Sequence, residues 1–175
     1  MTTSPSTLER GLDLLRVDFA PDHRPPSVGR WLLATVVALV GSVLADAALV
    51  AIGTRVFPST KGYVHFAFSD YAKLTIIGVV IACVAWPVVV RLSSAPRWLF
   101  FRLAIVVTLV LLAPDAWILY RGAPGKAVAV LVVMHLAIAV VTYNALVHLA
   151  PPRPGSTGGR HAPGHAAART TTSAD

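Results

Sequence analysis

Four stretches of this chain, about 31–54, 72–90, 99–120 and 127–149, are apolar for long enough to cross a bilayer. Each is bracketed by basic residues: Arg30 and Arg55, Lys73 and Arg91, Arg97 and Arg121, Lys126 and Arg153. A helix needs about 20 residues to span the hydrocarbon. Backbone N–H and C=O groups find no water there, so each segment has to satisfy its own by coiling into a helix. The expected fold class is therefore all-α: a polytopic membrane protein built as a four-transmembrane-helix bundle with short loops. Composition agrees, with 55% hydrophobic and only 13% charged residues, where a soluble domain carries about 25% charged residues.

The formal net charge is +7, but the basic residues are scattered between apolar runs and form no patch interleaved with aromatics. Nucleic acid is therefore set aside as a partner, and the basic excess reads as a topology signal and an attraction to anionic head groups of the lipid bilayer. Ten Lys and Arg flank the side holding both chain ends (Arg10, Arg16, Arg24, Arg30, Arg91, Arg97, Arg102, Arg153, Arg160, Arg169). Five flank the other side (Arg55, Lys61, Lys73, Arg121, Lys126). This imbalance predicts both termini in the cytoplasm and a multi-pass protein of the bacterial inner membrane. Trp31, Trp86 and Trp98 at one level, and Tyr71, Trp117 and Tyr120 at the other, are expected to form interfacial belts. Ala45-Asp46-Ala47 resembles a signal-peptide cleavage site, but about thirty residues precede the apolar run and it continues past the site, so an uncleaved span is expected.

Residues 1–30 form an N-terminal tail. Ser6 and Glu9 have capping-box spacing, and Leu8, Leu12, Leu15 and Phe19 recur at helical intervals. The segment thus reads either as an amphipathic helix lying on the membrane or as a partly ordered tail. Residues 151–175 are rich in Pro, Gly, Ser, Thr and Ala, which predicts a disordered tail. Its His161 and His165 lack a third ligand, so no metal is expected there. Cys83 is the single cysteine and lies in an apolar run, which leaves no disulfide within the chain and no cysteine-based metal cluster. The sequence holds no HExxH, GxSxG, Walker loop or CxxC, and no loop is long enough for a soluble catalytic unit. No cofactor is expected, and the reading is non-enzymatic.

The ionisable residues inside the spans are then the candidates for function. Asp46 lies about 12 Å below the end of span one and His135 about 13 Å into span four, so the two share a level; Asp115 is about 7 Å from the end of span three. An embedded Asp costs roughly 2.5–3.5 kcal/mol on the insertion scale. Either Asp46 faces His135 or a water-filled crevice, or it carries a proton, because burial penalises the charged form. Asp46, His135 and Asp115 are thus a candidate intramembrane polar site. The competing reading is structural: such residues also tie helices together at about 0.6 kcal/mol per hydrogen bond, with His135 bonding a backbone carbonyl or Thr108, and Asp115 lying in a frayed turn after Pro114. Ala38, Gly41, Ala45 and Ala48, and separately Gly78 and Ala82, form small-residue faces suited to close helix packing.

The second half of the chain carries a resemblance. "AKLTIIGVVIACVAWPVVVRL", "PRWLFFRLAIVVTLVLLAPDA" and "AVAVLVVMHLAIAVVTYNAL" resemble a family of small four-span actinobacterial membrane proteins of unknown function. "VMHL", Val133 to Leu136, matches its fourth-span motif and contains His135, whereas "LLAPDA" departs from its "GP" pattern. The resemblance implies a four-helix architecture and no activity. Two functions follow as expectations: an accessory, scaffold or self-assembling subunit (a homo-oligomer or part of a larger membrane complex), or a small proton-coupled transporter or ligand-binding protein using Asp46, His135 and Asp115.

Overall fold

The structure, a computed structural model, describes Gly11, Val17 and residues 23–155. The expected tail helix, the capping box and His161 and His165 lie outside the described residues. Four long helices follow one another: α1 (Val28–Val56), α2 (Phe68–Leu92), α3 (Pro96–Tyr120) and α4 (Gly125–Asn144), the last continuing through one π-helical turn, Ala145–Leu149. Each helical segment has 25 to 29 residues and a mean hydropathy of 2.1 to 2.3 over its most apolar stretch, long and apolar enough to cross a membrane. At 1.5 Å per residue they measure about 38 Å or more, against a hydrocarbon core of about 30 Å. They therefore overrun the spans expected from hydropathy by a few residues at most ends.

The connections are short for local reasons. Pro96 opens α3 at its first helical position, where a missing N–H loses nothing. Gly122 (φ 92) ends α3: its N–H bonds the Leu119 carbonyl, while the Ala123 N–H bonds that of Ile118. This paired pattern is the Schellman closure, which needs a left-handed residue. Two 3-10 turns, Pro58–Thr60 and Val64–Phe66, fill the longer loop between α1 and α2.

Helix α1 runs between α2 and α4, and α3 lies against α4 with a smaller contact to α2. The buried stripe of α1 is Ala34, Ala38, Ser42 and Asp46, then Gly53. Two glycines set the approach of α1 to α4. A Cβ at Gly53 would fall 2.7 Å from Val130 Cγ2, and one at Gly41 would fall 3.0 Å from Val141 Cγ1. Two apolar clusters result. One, toward the chain ends, centres on Val79, Cys83, Trp86, Phe100 and Leu146. The other, toward the α1–α2 loop, joins Tyr71, Ala72, Leu131 and Met134, with Phe57, Tyr63 and Phe66 packed onto it from that loop.

The end of the bundle that holds both termini is tied together by polar bonds. His23–Arg24 (β1) pairs antiparallel with Arg153–Pro154 (β2), Val17 bridges Ser93, and Arg153 Nε donates to the Pro25 carbonyl at 2.8 Å. The last carbonyls of a helix have no intrahelical donor; here Arg30 Nε donates to Leu149 O at 2.9 Å and Trp86 Nε1 to Ala150 O at 2.7 Å. One expectation is corrected. Trp86 is fully buried rather than part of an interfacial belt, because its indole N–H serves that helix end. Of the segment expected as a tail from residue 151, Arg153–Pro154 pairs with β1, and residues 156–175 lie outside the described residues.

Candidate functional site

Between the two apolar clusters lies a layer of polar side chains. Three helices place them by the same rule: in each, a polar residue falls on the buried stripe. Asp46 follows Ser42 by one turn of α1, Thr75 lies between Ala72 and Val79 on α2, and Thr142 follows Met134 on α4. Ser42 Oγ and Thr142 Oγ1 are 3.3 Å apart. Asp46, with no exposed surface, accepts a 2.5 Å hydrogen bond at Oδ2 from Thr75 Oγ1. Asp115, 5% exposed, brings Oδ2 to 3.0 Å from His135 Nδ1.

Asp115 and His135 meet although a simple rise along the helices sets them about 6 Å apart in depth. The tilt of the Cα–Cβ bond toward the helix N-terminus works in that direction. α3 runs toward the α1–α2 loop and α4 runs away from it, so the Asp115 side chain leans deeper and that of His135 leans outward. The α3 helix also continues unbroken through Pro114 to Tyr120, so Asp115 is an internal, buried residue and not part of a frayed turn.

The sequence pairing of Asp46 with His135 is not what forms. Asp46 bonds Thr75, His135 contacts Asp115, and Asp46 and His135 remain within electrostatic reach without a bond. His135 Nδ1 also lies 3.0 Å from the carbonyl of Leu131, one turn back in α4. The ring nitrogen thus has two acceptors at equal distance, and the N–H geometry favours the carbonyl. Among the described residues, Asp115 Oδ2 is consequently a buried oxygen close to the imidazole but without a well-directed hydrogen bond, and Asp46 Oδ1 has no hydrogen-bond partner. Such atoms lose their water without full compensation, at about 1–3 kcal/mol each. The α1–α2 loop closes this region. Tyr63 makes edge contacts with His65 and Phe66, and burial, together with the nearby Asp115 carboxylate, raises its phenol above the usual range. His65 in turn approaches Asp70 at 3.8 Å on the exposed side of the loop.

The small-residue faces are placed differently from expectation. Ala38 is buried, Gly41 touches α4, and Ala45 and Ala82 are partly covered. Ala48 and Gly78 face outward; a Cβ at Gly78 would meet nothing within 4 Å. The buried stripes step mainly by four residues, so Ser42 and Asp46 take the positions that Ala45 and Ala48 were expected to share. Thr75, Ser42 and Thr142 were missed by sequence reasoning. Their signal was present: each is a lone hydroxyl at the depth of Asp46 or one turn from it.

Chemically, two carboxyls and an imidazole in an apolar surround can hold and exchange a proton. Among the described residues, no three His, Cys, Asp or Glu side chains gather in a way that would hold a metal ion. Residues 22–151 match a family of unknown function, DUF6069. The chain belongs to that family. Comparison with the curated proteins and with solved structures gave no match. The match spans the four helices and β1, ends before β2 (Arg153–Pro154), and contains the whole polar layer.

Proposed function

We propose that this DUF6069 chain is a non-enzymatic membrane protein whose polar layer binds and releases a proton, coupled to uptake or binding of a small ligand. The observation that carries the reading is the pair of buried carboxyls, Asp46 and Asp115, each with an oxygen that no well-directed hydrogen bond serves. Groups that only tie helices together gain by satisfying every acceptor, because hydrocarbon offers no water to an orphan. A proton removes the buried charge and turns one oxygen into a donor. Intramembrane ionisable groups are functional candidates on this ground. The basic-residue imbalance supports both termini in the cytoplasm, and the resemblance to actinobacterial four-span proteins supports a bacterial plasma membrane.

The test is infrared difference spectroscopy on the full chain in lipid, between mildly acidic and mildly alkaline pH. The expected result is a carboxyl C=O band that titrates and is lost in Asp46→Asn or Asp115→Asn, with helix content unchanged. A spectrum with no titrating band assignable to either residue overturns the reading.

A second reading has its own observation. The most apolar stretch of α3 is only 11% buried, which suits an accessory or self-assembling subunit that offers this helix to a partner. A strictly monomeric species in mild detergent, with nothing co-purifying, counts against it.

A further inference from the structure

A groove of about 410 Å³ runs along the outer surface between α3 and α4. Ile105, Leu109 and Leu112 form one wall, and Leu136, Ala139 and Tyr143 form the other. Asp46, Asp115 and His135 do not line it, although Leu112 and Leu136 bring its deep end within a turn of Asp115 and His135. We infer that this groove holds one acyl tail of an anionic phospholipid, whose phosphate is bound by Arg102.

Three observations carry the assignment. Arg102 stands on the same helical stripe as the groove wall, since Arg102, Ile105, Leu109 and Leu112 are separated by three, four and three residues. The distance from Arg102 to Leu112 is about 15 Å, which is half of a hydrocarbon core of about 30 Å. The groove therefore spans one leaflet, the depth of one acyl tail. Finally, Arg102 is held at the terminal end: its guanidinium lies over the Trp98 ring at 3.8 Å. A basic side chain just inside the hydrocarbon turns its head toward the interface, and a planar guanidinium matches a phosphate with paired hydrogen bonds.

Charge among the described residues favours a lipid over a second copy of the chain. The acids among the described residues are Asp46 and Asp115, both buried, and Asp70, which opens α2 at the opposite end of the bundle. Among the described residues, a neighbouring copy in the same orientation would bring arginines of the terminal end toward Arg102; Glu9, Asp13, Asp18 and Asp22 lie outside the described residues. An anionic phospholipid brings both an apolar tail for the groove and a negative charge for Arg102.

The experiment uses the full chain reconstituted in bilayers, with spin-labelled phosphatidylglycerol and phosphatidylcholine as probes of the motionally restricted lipid. A basic residue near the surface of an anionic membrane is worth about 1 kcal/mol, so the wild-type chain should prefer phosphatidylglycerol about fivefold at this site. Arg102→Gln should abolish most of that preference, and Arg102→Lys, which keeps the charge without the fork, should retain part of it. Ala139→Phe, filling the groove, should reduce the restricted component of both lipids. Arg91→Gln, on α2 at the same end of the bundle, should leave the preference in place. Equal association of the two lipids, or an equal loss in Arg91→Gln and Arg102→Gln, overturns the assignment. So does efficient disulfide crosslinking of Leu109→Cys between chains in the bilayer, which would give the face to a second copy.

Discussion

Helices α3 and α4 have almost the same mean hydropathy, 2.1 and 2.2, yet 11% of the first and 39% of the second is buried in the most apolar stretch. In water such a difference would show in the sequence, because an outer face has to be polar. In a bilayer, lipid tails are as apolar as a leucine core, so burial leaves no mark on hydropathy. What separates the two helices is the placement of small and polar residues. α4 meets the glycines of α1 through Val130 and Val141 and carries Thr142 and His135 inward. α3 has one buried residue in its second half, Asp115, and turns Val106, Leu109 and Val110 outward. The comparison teaches that, in this bundle, contacts are chosen by what fits closely or needs a polar partner, and not by which surface is most apolar.

Three substitutions would break or sharpen that contrast, each read as unfolding free energy of the full chain in mixed micelles. The largest effect is expected at the buried end of α4. Leu146→Ala opens a cavity in a side chain with no exposed surface and should cost about 2–5 kcal/mol; a loss under about 1 kcal/mol would mean that lipid fills the site. Gly53→Val comes next. Its Cβ would lie within 2.7 Å of Val130 Cγ2, and overpacking of this kind costs about 1–3 kcal/mol. A companion Val130→Ala should restore most of the loss, and failure to do so would deny that the two helices meet there. The smallest effect is expected on α3. Leu109→Ala, at a position 62% exposed, should change stability by less than about 0.5 kcal/mol; a larger loss would show that α3 is covered by protein.

Much of the architecture was legible in the chain because hydrocarbon length and backbone hydrogen bonding leave few options. The four spans, the short α2–α3 and α3–α4 turns and the level shared by Asp46 and His135 all follow from counting residues at a fixed rise. The partners of those residues do not. Asp46 and His135 occupy the same depth, but depth says nothing about rotation around each helix, and a four-residue step put Thr75 opposite Asp46 instead. The meeting of Asp115 with His135 needed both the opposite directions of α3 and α4 and their adjacency; only the first could be read from the order of spans. Trp86 was expected at the interface because indoles favour it, yet a helix end rich in unpaired carbonyls drew its N–H inward. The pairing of His23–Arg24 with Arg153–Pro154 joins segments some 130 residues apart, and neither two-residue piece has a pattern of its own.

The sequence by itself determined that this chain forms four helices long and apolar enough to cross a membrane, and which ionisable groups lie within them. One-dimensional spacing, converted at 1.5 Å per residue, is enough for that. Only the tertiary structure decided which of those groups touch, which helix remains on the outside, and where a groove opens. Those outcomes depend on helix rotation and neighbour order, which in an apolar solvent are fixed by a handful of glycines, hydroxyls and carboxylates and not by the hydrophobic pattern.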